Sequence, residues 1–499
     1  MLTAAATSAA VASATTKISP RGSTLALVCI SLLSFISFRT MKAKYPNLNK
    51  NEIFPIPVGE EFGKENEKIN ILYSPFTDRA LLMTEDYVLK IEQAMAHPDE
   101  RSADDIAGVI EALTDFENRK KTAPLNLDPT KYTRMAILPN NVCNFKCSYC
   151  YSAHGRSGKV ISKDVLKASL NQFIDNKRVD KENKLAISIL GGGEPMLSWD
   201  LVKFIIEYSN ERSTQMGFAG MDINIVTNGS VFTQEMIDTI KKYKVPVSIS
   251  FEILEEIQNL QRGHYEKVCK NIDWIISEGI RPQLRACITL DNLHLMKRMI
   301  EEVLTRFPGT REVMMEYVTD PERLTDVQQV KDFYRQYLDN FFEAHDYAAE
   351  HGLLLDCSAY RNFNMLIQRF CPGDNTLTPD GGISVCSRIG APDDVGYSDS
   401  IYAHIHADGT MEIDRKKFDH LIGLNVHYYE KCQDCPAKWH CAGGCMIHKY
   451  TYDEAIREEI CEYTRNFTKR MLLRNLNKEY QHKYGITLKE LVQKHFNDD

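Results

Sequence analysis

Three cysteines with short spacing are the first residues of this sequence that could perform chemistry. Cys143, Cys147 and Cys150 form a Cys-x3-Cys-x2-Cys pattern directly after a short apolar run. Three thiolates on one loop can bind three irons of a [4Fe–4S] cubane and leave the fourth iron open, whereas a fourth cysteine would close the site. The pattern therefore predicts an iron–sulfur cluster with one accessible iron; a zinc loop or free core thiols are the alternatives.

Seven more cysteines are concentrated towards the C-terminal end. They follow the spacing Cys-x9-Gly-x4-Cys, then Cys-x2-Cys-x5-Cys-x3-Cys, then x15-Cys, and they are Cys371, Cys386, Cys432, Cys435, Cys441, Cys445 and Cys461. Short spacings suit metal ligation, while a disulfide framework is typical of small secreted domains, which a chain of 499 residues is not. Zinc, with His440 and His448 as additional ligands, is an alternative to iron–sulfur clusters here.

The composition is that of an ordinary globular protein. Hydrophobic residues make up 43% and charged residues 26% of the chain, whose net charge is −8. The length predicts about two to four domains with a substantial buried core. Most nucleic-acid-binding proteins carry a basic face, whereas the net charge of this chain is negative, so no nucleic-acid partner is expected.

Residues 1–40 differ from the rest of the chain. Residues 1–23 contain no acidic residue, and the mostly apolar segment Ser23–Phe38 lies between two arginines. The arrangement is typical of a signal peptide or a short anchor, although about 20 apolar residues are needed to span a bilayer. The favoured interpretation is a mis-assigned extension, with translation starting at Met41. We therefore expect a cytoplasmic protein without a membrane partner unless residues 1–40 are retained.

Six short apolar runs alternate with amphipathic stretches in the middle of the chain. The runs are Met135–Leu138, Leu185–Leu190, Ile223–Val226, Val245–Ile249, Leu284–Leu290 and Val313–Val318. Strands alternating with helices predict βα units and a parallel sheet buried on both faces. Six units are fewer than the eight of a closed barrel. The sequence thus predicts an α/β fold with an open, partial (β/α)6 barrel followed by a loop-rich, cysteine-rich iron–sulfur domain.

Five segments follow from these patterns. They are a signal-like or mis-assigned extension (1–40), an α+β unit (41–130), the barrel (131–345), the cysteine-rich domain (346–467) and a helical tail (468–499). In the α+β unit the patterns predict strands at Ile69–Tyr73 and Ala80–Met83 and a helix with Ser102 as its N-cap. A long helix is predicted at Val330–Gly352.

Glycine-rich and polar segments follow the later strands of the predicted barrel. Gly191-Gly192-Gly193-Glu194 follows the second strand, Asn228 in a Thr-Asn-Gly segment follows the third, and Ser250 ends the fourth. Active sites of parallel α/β barrels lie at the carboxyl ends of the strands, and consecutive glycines let a ligand approach the backbone closely. These segments are therefore candidate binding residues, with an ordinary turn as the alternative for Thr-Asn-Gly.

This combination resembles the radical S-adenosylmethionine (SAM) superfamily, in which SAM chelates the open iron through its amino and carboxylate groups. By that resemblance the SAM-binding residues are Tyr149, Gly192, Gly193, Glu194, Asn228, Ser250 and Arg262. The Gly-Gly-Glu segment corresponds to a contact with the SAM amino group, and Ser250 to a contact with the ribose. The fourth strand departs from the family's Ser-x-Asp-Gly pattern, because Glu252 and Ile253 replace the Asp and the Gly.

The C-terminal cysteines resemble the SPASM domain, which follows the barrel in a subset of radical SAM enzymes. The resemblance implies one auxiliary [4Fe–4S] cluster on Cys432, Cys435, Cys441 and Cys461. It implies a second auxiliary cluster on Cys371, Cys386 and Cys445. Cys357 is the candidate fourth ligand of this second cluster, or else a buried core cysteine.

The resemblance implies an enzyme that reductively cleaves SAM to a 5′-deoxyadenosyl radical, which abstracts hydrogen from a substrate. Relatives with two auxiliary clusters are mostly maturases, so the expected function is oxidative modification, such as crosslinking, of a ribosomally made peptide. An electron donor such as flavodoxin or ferredoxin is the expected partner. Segment 41–130 is a candidate to bind a leader peptide by strand addition, or it caps the barrel.

Two other functions stay open. A sulfatase maturase that forms formylglycine is the first alternative, although Ser387 stands where that family has an Asp after the residue corresponding to Cys386. A non-enzymatic, zinc-binding interaction module is the alternative of another class.

Overall fold

The computed structural model describes residues 45–64, 68–98, 103–115, 117, 119–371 and 375–495. The predicted extension 1–40 and Ser102 lie outside these residues. Within the described part of the chain, no helix is long and apolar enough to cross a membrane.

The N-terminal unit is a three-stranded antiparallel sheet with three helices. Its strands, in sheet order, are β1 (Phe54–Pro57), β2 (Ile69–Ser74) and β3 (Arg79–Thr84). Its helices are α1 (Pro46–Lys50), α2 (Glu85–Ala96) and α3 (Asp104–Thr114). Leu48, Leu72, Val88 and Ile106 belong to its apolar core. The two predicted strands are present within one residue at each end.

The start of α3 differs from the prediction. Its N-cap is Ala103, which makes no side-chain capping hydrogen bond, and not Ser102. Asp104 and Asp105 occupy the first turn instead. Negative charge at a helix N-terminus stabilises the helix dipole, so this end does not depend on a capping hydroxyl.

The centre of the molecule is an open sheet of eleven strands. Its seven barrel strands are β4 (Arg134–Ile137), β5 (Lys184–Ile189), β6 (Gly220–Thr227), β7 (Val247–Ser250), β8 (Gln283–Ile288), β9 (Glu312–Tyr317) and β10 (Leu354–Asp356). Neighbouring strands in this series are parallel. All six predicted strands are confirmed, and β10 adds a short seventh at the edge.

Helices connect successive barrel strands. They are α4 (Lys163–Phe173), α5 (Trp199–Gln215), α6 (Gln234–Tyr243), α7 (Glu255–Gln261), α8 (Tyr265–Ser277), α9 (Met296–Arg306) and α10 (Val327–Glu350). Several begin at a side-chain cap: Ser162, Thr233 and Asp326 accept hydrogen bonds from the first turns of α4, α6 and α10. The alternation of buried strands and amphipathic helices confirms the predicted α/β class.

The C-terminal region continues the same sheet. Its strands are β11 (Asn375–Leu377), β12 (Gly382–Ser384), β13 (Ile401–Ile405) and β14 (Met411–Ile413). Strand β11 pairs in parallel with β4, and β12 to β14 follow antiparallel. The barrel and the cysteine-rich region therefore share one hydrogen-bonded ladder.

The helices of this region are mostly short, with one long exception. They are α11 (Ser358–Phe363), α12 (Tyr397–Ser400), α13 (Arg415–Gly423), α14 (Lys438–Cys441), α15 (His448–Thr451), α16 (Glu454–Tyr484) and α17 (Leu488–His495). The predicted segment boundaries at 345/346 and 467/468 fall inside α10 and α16. Helix α16 packs on α10, so the predicted tail begins as the continuation of a helix that already carries Cys461.

Candidate active site

One cavity of about 660 Å³ lies at the carboxyl ends of the barrel strands and extends into the C-terminal region. Residues at the ends of β5, β6, β7, β8 and β9 line it. Its wall also contains all ten cysteines of the two predicted groups, which are Cys143, Cys147, Cys150, Cys371, Cys386, Cys432, Cys435, Cys441, Cys445 and Cys461. The fold therefore brings together side chains that are more than 300 residues apart in sequence.

The first three cysteines lie on the loop after β4. Arg156 reaches this loop: its Nη2 donates to Cys150 Sγ at 3.2 Å, and its Nη1 donates to the carbonyl of Phe145. Burial raises the pKa of the Cys147 thiol, the charge of Arg262 lowers it, and charge on Cys150 and Cys143 raises it further. The three thiols are thus close enough to act on one another, and two arginines face them.

The glycines after β5 support the cysteine loop directly. A Cβ on Gly193 would lie 2.0 Å from the carbonyl oxygen of Val142, and one on Gly192 would lie 2.5 Å from Asn141 Oδ1. The Gly193 amide also donates to the carbonyl of Asn140 at 3.0 Å. Any larger residue at position 193 would push the loop backbone away, so Gly193 is required whatever else it binds, whereas at position 192 the Asn141 side chain would have to move.

The Glu194 carboxylate connects the ends of β5 and β6. It accepts hydrogen bonds from the Met196 amide (3.0 Å), the Thr227 hydroxyl (2.5 Å) and the Asn228 amide (2.6 Å). The side chain is buried, and burial raises the pKa of Glu194. Both carboxylate oxygens are therefore occupied by donors of this chain, a positioning role that the sequence did not reveal.

The Asn228 side chain links β6 to the cysteine loop. Its Nδ2 donates to Asn144 Oδ1 at 2.9 Å, and its Oδ1 accepts from the Ser230 amide at 2.9 Å. Asn144 in turn donates to the Ser230 hydroxyl. Thr-Asn-Gly is therefore a turn that also holds the loop of the first cysteine group.

The residues predicted at the fourth strand lie under the same loop. Ser250 ends β7 and lines the cavity. The Tyr149 hydroxyl donates to Glu252 and accepts from Arg262 Nη1 at 2.8 Å. Glu252 also accepts from the Cys287 amide at 2.9 Å. Burial raises the pKa of Glu252 to about 7, although Arg262 opposes this rise.

This Tyr149–Glu252–Arg262 cluster accounts for the glutamate that replaces the Asp of the Ser-x-Asp-Gly pattern, but not for the isoleucine that replaces its Gly. Ile253 adopts a left-handed backbone, with φ of 68°, which is the conformation that favours glycine. The glutamate side chain is long enough to reach both Tyr149 and β8 from this turn. The sequence shows the substitution, but not the hydrogen bonds that it makes.

The C-terminal cysteines form two neighbouring sets. After burial, charges on Cys461, Cys435 and Cys432 raise the pKa of the Cys441 thiol. The pKa of the Cys386 thiol is raised to about 11, first by burial and next by Cys445. These interactions place Cys441 near Cys432, Cys435 and Cys461, and Cys386 near Cys445. Within the described residues, no three His, Cys, Asp or Glu side chains form a site for a single metal ion.

Three other candidate ligands have different positions. Cys357 is buried in the apolar core, caps α11 by accepting from the Tyr360 amide at 3.4 Å, and does not line the cavity. Both ring nitrogens of His440 are occupied, Nε2 by the Tyr73 hydroxyl at 2.6 Å and Nδ1 by the carbonyl of Met365 at 3.0 Å. His448 lines the cavity, and burial lowers its pKa to about 4.

Several residues that line the cavity were not among the candidates from the sequence. They are Tyr151, Arg156, Arg285, Cys287, Glu316 and Arg388. Arg285 and Glu316 lie in β8 and β9, where the neighbouring residues are apolar. A charged residue inside a buried parallel strand is unusual, and this was the signal that could have identified both.

Comparison with known proteins agrees with the geometry. Residues 137–306 match the family model of the radical SAM superfamily, so the chain contains a radical SAM domain. The chain is 27% identical over 157 residues to the radical SAM cyclopropyl synthase TigE of Paramaledivibacter caminithermalis, covering 29% of this chain and 31% of that protein. It is 23% identical over 352 residues to the AdoMet-dependent heme synthase of Nitratidesulfovibrio vulgaris, covering 64% of this chain and 89% of that protein.

A solved structure shares the fold. Native anSMEcpe with bound AdoMet and Cp18Cys peptide superposes with a TM-score of 0.52 at 15% identity, covering 69% of this chain and 99% of that one. The first three curated relatives are matched over only 31%, 37% and 42% of their own length. The comparisons therefore define the class of the domain and its fold.

Proposed function

We propose that this protein is a radical SAM enzyme that oxidatively modifies a ribosomally made peptide or a protein. The observation that carries the proposal is that all ten cysteines of both groups line one cavity. A radical source and a nearby electron acceptor in one enclosed space are what an oxidative C–H modification needs. The donor set fits iron–sulfur clusters, because thiolates of this spacing are their usual ligands.

In the proposed site, Cys143, Cys147 and Cys150 hold the first [4Fe–4S] cluster. When bound there with SAM, this cluster supplies the one-electron cleavage of SAM that starts hydrogen abstraction from a C–H bond. Arg156 and the Tyr149–Glu252–Arg262 cluster both hold the cysteine loop in place. The buried strand ends exclude water, which protects a reactive species from side reactions.

The C-terminal cysteines are proposed to hold two auxiliary clusters. Cys432, Cys435, Cys441 and Cys461 form a complete set of four, and Cys371, Cys386 and Cys445 form a set of three. The buried N-capping position of Cys357 disfavours it as a fourth ligand. The auxiliary clusters would receive the electron that remains after hydrogen abstraction, and a donor such as flavodoxin or ferredoxin would reduce the first cluster.

The N-terminal sheet offers one suitable edge for a peptide. Strand β1 contains Pro55 and Pro57. The Val58 amide donates to the carbonyl of Ile69 at 3.0 Å, so alternation along the strand places the two prolines at the outer edge. Proline has no N–H to donate, and this edge is therefore closed to strand addition.

The opposite edge, on β3, supports the proposal that a leader peptide binds by strand addition. The Glu85 amide donates to the carbonyl of Lys68 at 2.7 Å. By alternation, the backbone groups of Ala80, Leu82 and Thr84 point outwards. Among the described residues no strand pairs with this edge. An extended peptide would find regularly spaced donors and acceptors there.

The test is anaerobic purification, quantification of iron and sulfide, and an assay for 5′-deoxyadenosine after addition of SAM and a reductant. Three cubanes correspond to about twelve irons per chain. Replacing Cys143, Cys147 and Cys150 together by Ala should remove about four irons and abolish 5′-deoxyadenosine formation. Cys269→Ala is the matched control, because Cys269 is buried in α8 and does not line the cavity.

The outcomes separate the alternatives. Zinc without iron would support the interaction module and refute the enzymatic proposal. Iron loss in the triple variant without loss of 5′-deoxyadenosine would show that another group cleaves SAM. Formation of formylglycine in a sulfatase-derived peptide would favour the sulfatase maturase over peptide crosslinking.

A further inference from the structure

A tyrosine and an arginine form part of the cavity wall between the two cysteine groups. Tyr151 directly follows Cys150, and Arg388 lies two residues after Cys386. The Arg388 guanidinium stacks over the Tyr151 ring, 4.8 Å from its centroid. This inference rests on the proposed function: a substrate that contacts both redox centres would lie beside this pair. Tyr151 leaves 48% of its surface exposed, so its ring is accessible.

Two arginines on this wall lack carboxylate partners. Arg285 projects from β8 and makes no side-chain hydrogen bond or ion pair with any described residue. Burial lowers its pKa, which Glu316 only partly opposes. The Arg388 side chain makes one hydrogen bond, from Nη1 to Thr319 Oγ1 at 3.2 Å, and its buried Nε has no partner in the described structure.

The two acidic side chains near these arginines already have other partners. Glu316 Oε1 accepts from both the amide (2.5 Å) and the hydroxyl (2.6 Å) of Ser358. Asp356 pairs with Arg361 at 3.0 Å. The wall thus carries two arginines, and the carboxylate nearest to Arg285, Glu316, is hydrogen-bonded to Ser358, which leaves a surplus of positive charge on the wall. A buried cation without a partner is costly, and a ligand that supplies an anion removes that cost.

We propose that Arg285 and Arg388 bind a carboxylate of the peptide substrate. The group is an Asp or Glu side chain or a free C-terminal carboxylate, with the adjoining aliphatic carbons packed on Tyr151. A guanidinium donates through paired N–H groups and matches a carboxylate in geometry as well as charge. This contact would place a neighbouring C–H bond of the substrate between the two redox centres.

The probes are three N-acetylated pentapeptides: Ac-Ala-Ala-Asp-Ala-Ala-NH2, its Asn analogue, and Ac-Ala-Ala-Ala-Ala-Ala with a free C-terminal carboxylate. Binding to the iron-loaded, SAM-bound full chain is measured anaerobically by equilibrium dialysis with detection by mass spectrometry. The Asp peptide or the free-acid peptide should bind about tenfold more tightly than the Asn peptide, because the Asn peptide leaves the arginine donors without an anion. Tighter binding of the Asp peptide would assign the carboxylate to a side chain, and tighter binding of the free-acid peptide would assign it to the C-terminus.

Variants connect the preference to the two arginines. Arg285→Gln and Arg388→Gln should each reduce the preference for the acidic peptide over the Asn peptide to about threefold or less. Arg285→Lys should retain part of this preference. Arg298→Gln is the matched control, because Arg298 is an exposed arginine paired with Glu256. Iron content and circular dichroism check that each variant is folded and loaded.

Three results would overturn the inference. They are no preference for either acid, a preference that survives in both glutamine variants, or an Arg285→Gln variant that loses affinity for SAM but not for the acidic peptide. None of them bears on iron content or 5′-deoxyadenosine formation by the wild type. Failure of the inference is therefore distinguishable from failure of the proposed function.

Discussion

Replacement of Glu252 by Gln should change how the stability of this protein depends on pH. Glu252 is fully buried, accepts hydrogen bonds from Tyr149 and from the Cys287 amide, and lies 3.9 Å from Arg262. Burial raises its pKa to about 7 from an ordinary 4.5. Between pH 4.5 and about pH 7, Glu252 is therefore protonated in the folded state and ionised in the unfolded state.

The sign and the magnitude follow from proton linkage. Where the folded state binds more protons, the free energy of unfolding falls as the pH rises, here between about 4.5 and about 7. The fall is about 3 kcal/mol, since each pH unit of separation corresponds to about 1.4 kcal/mol. Glutamine does not titrate, so Glu252→Gln lacks this contribution at every pH. The variant should be least stable relative to wild type at pH 5, and the difference should shrink by pH 8.

The assay is the thermal midpoint of anaerobic, iron-loaded protein from pH 5 to pH 8. An unfolding entropy of about 2.1 cal/mol/K per residue gives about 1 kcal/mol/K for 499 residues. The difference in midpoint between wild type and variant should therefore change by about 3 °C across this range. Glu256→Gln, at an exposed position, should give a constant difference. Parallel curves for wild type and Glu252→Gln would refute the assignment.

Four further substitutions test how the site and the domains are held together. Glu194→Ala should lower the free energy of unfolding by about 3–5 kcal/mol, because it leaves buried donors of β6 unpaired, and iron-dependent absorbance should be lost at a lower urea concentration. Cys371→Ser should reduce the iron content of the holoenzyme by up to about four atoms, whereas Cys357→Ser should leave the iron content unchanged. Equal losses of iron in the two variants would show that Cys357 is a cluster ligand. Glu52→Ala breaks a pair with the buried Lys438 at 2.7 Å and should expose the N-terminal unit to proteolysis without loss of iron.

Much of the fold was predictable because parallel strands buried on both faces leave a strong apolar signal. All six barrel strands lie within three residues of their predicted ends. The segment boundaries were less predictable. Helix α16 carries Cys461 and then continues through residue 467 without a break, and a change in amino-acid composition does not end a helix.

The site was predictable where chemistry fixes residue type and spacing. The cysteines and the glycines of the β5 loop are of this kind. The Tyr149–Glu252–Arg262 cluster was not, because its members come from different loops and meet only through the fold. The same holds for Arg285 and Arg388, whose missing partners can be recognised only once their surroundings are known.

The pairing of β11 with β4 explains why two distant groups of cysteines share one cavity. Leu377 on β11 is in register with Ile137 on β4, six residues before Cys143. The chain then turns through β12 to Cys386, and a Cβ on Gly390 would lie 2.4 Å from Leu138. Backbone hydrogen bonds along a sheet fix distance far better than a contact between separate surfaces. The ladder thus sets the spacing between the first cysteine group and Cys386, and a substrate bound beside Tyr151 and Arg388 would meet both at a constant separation.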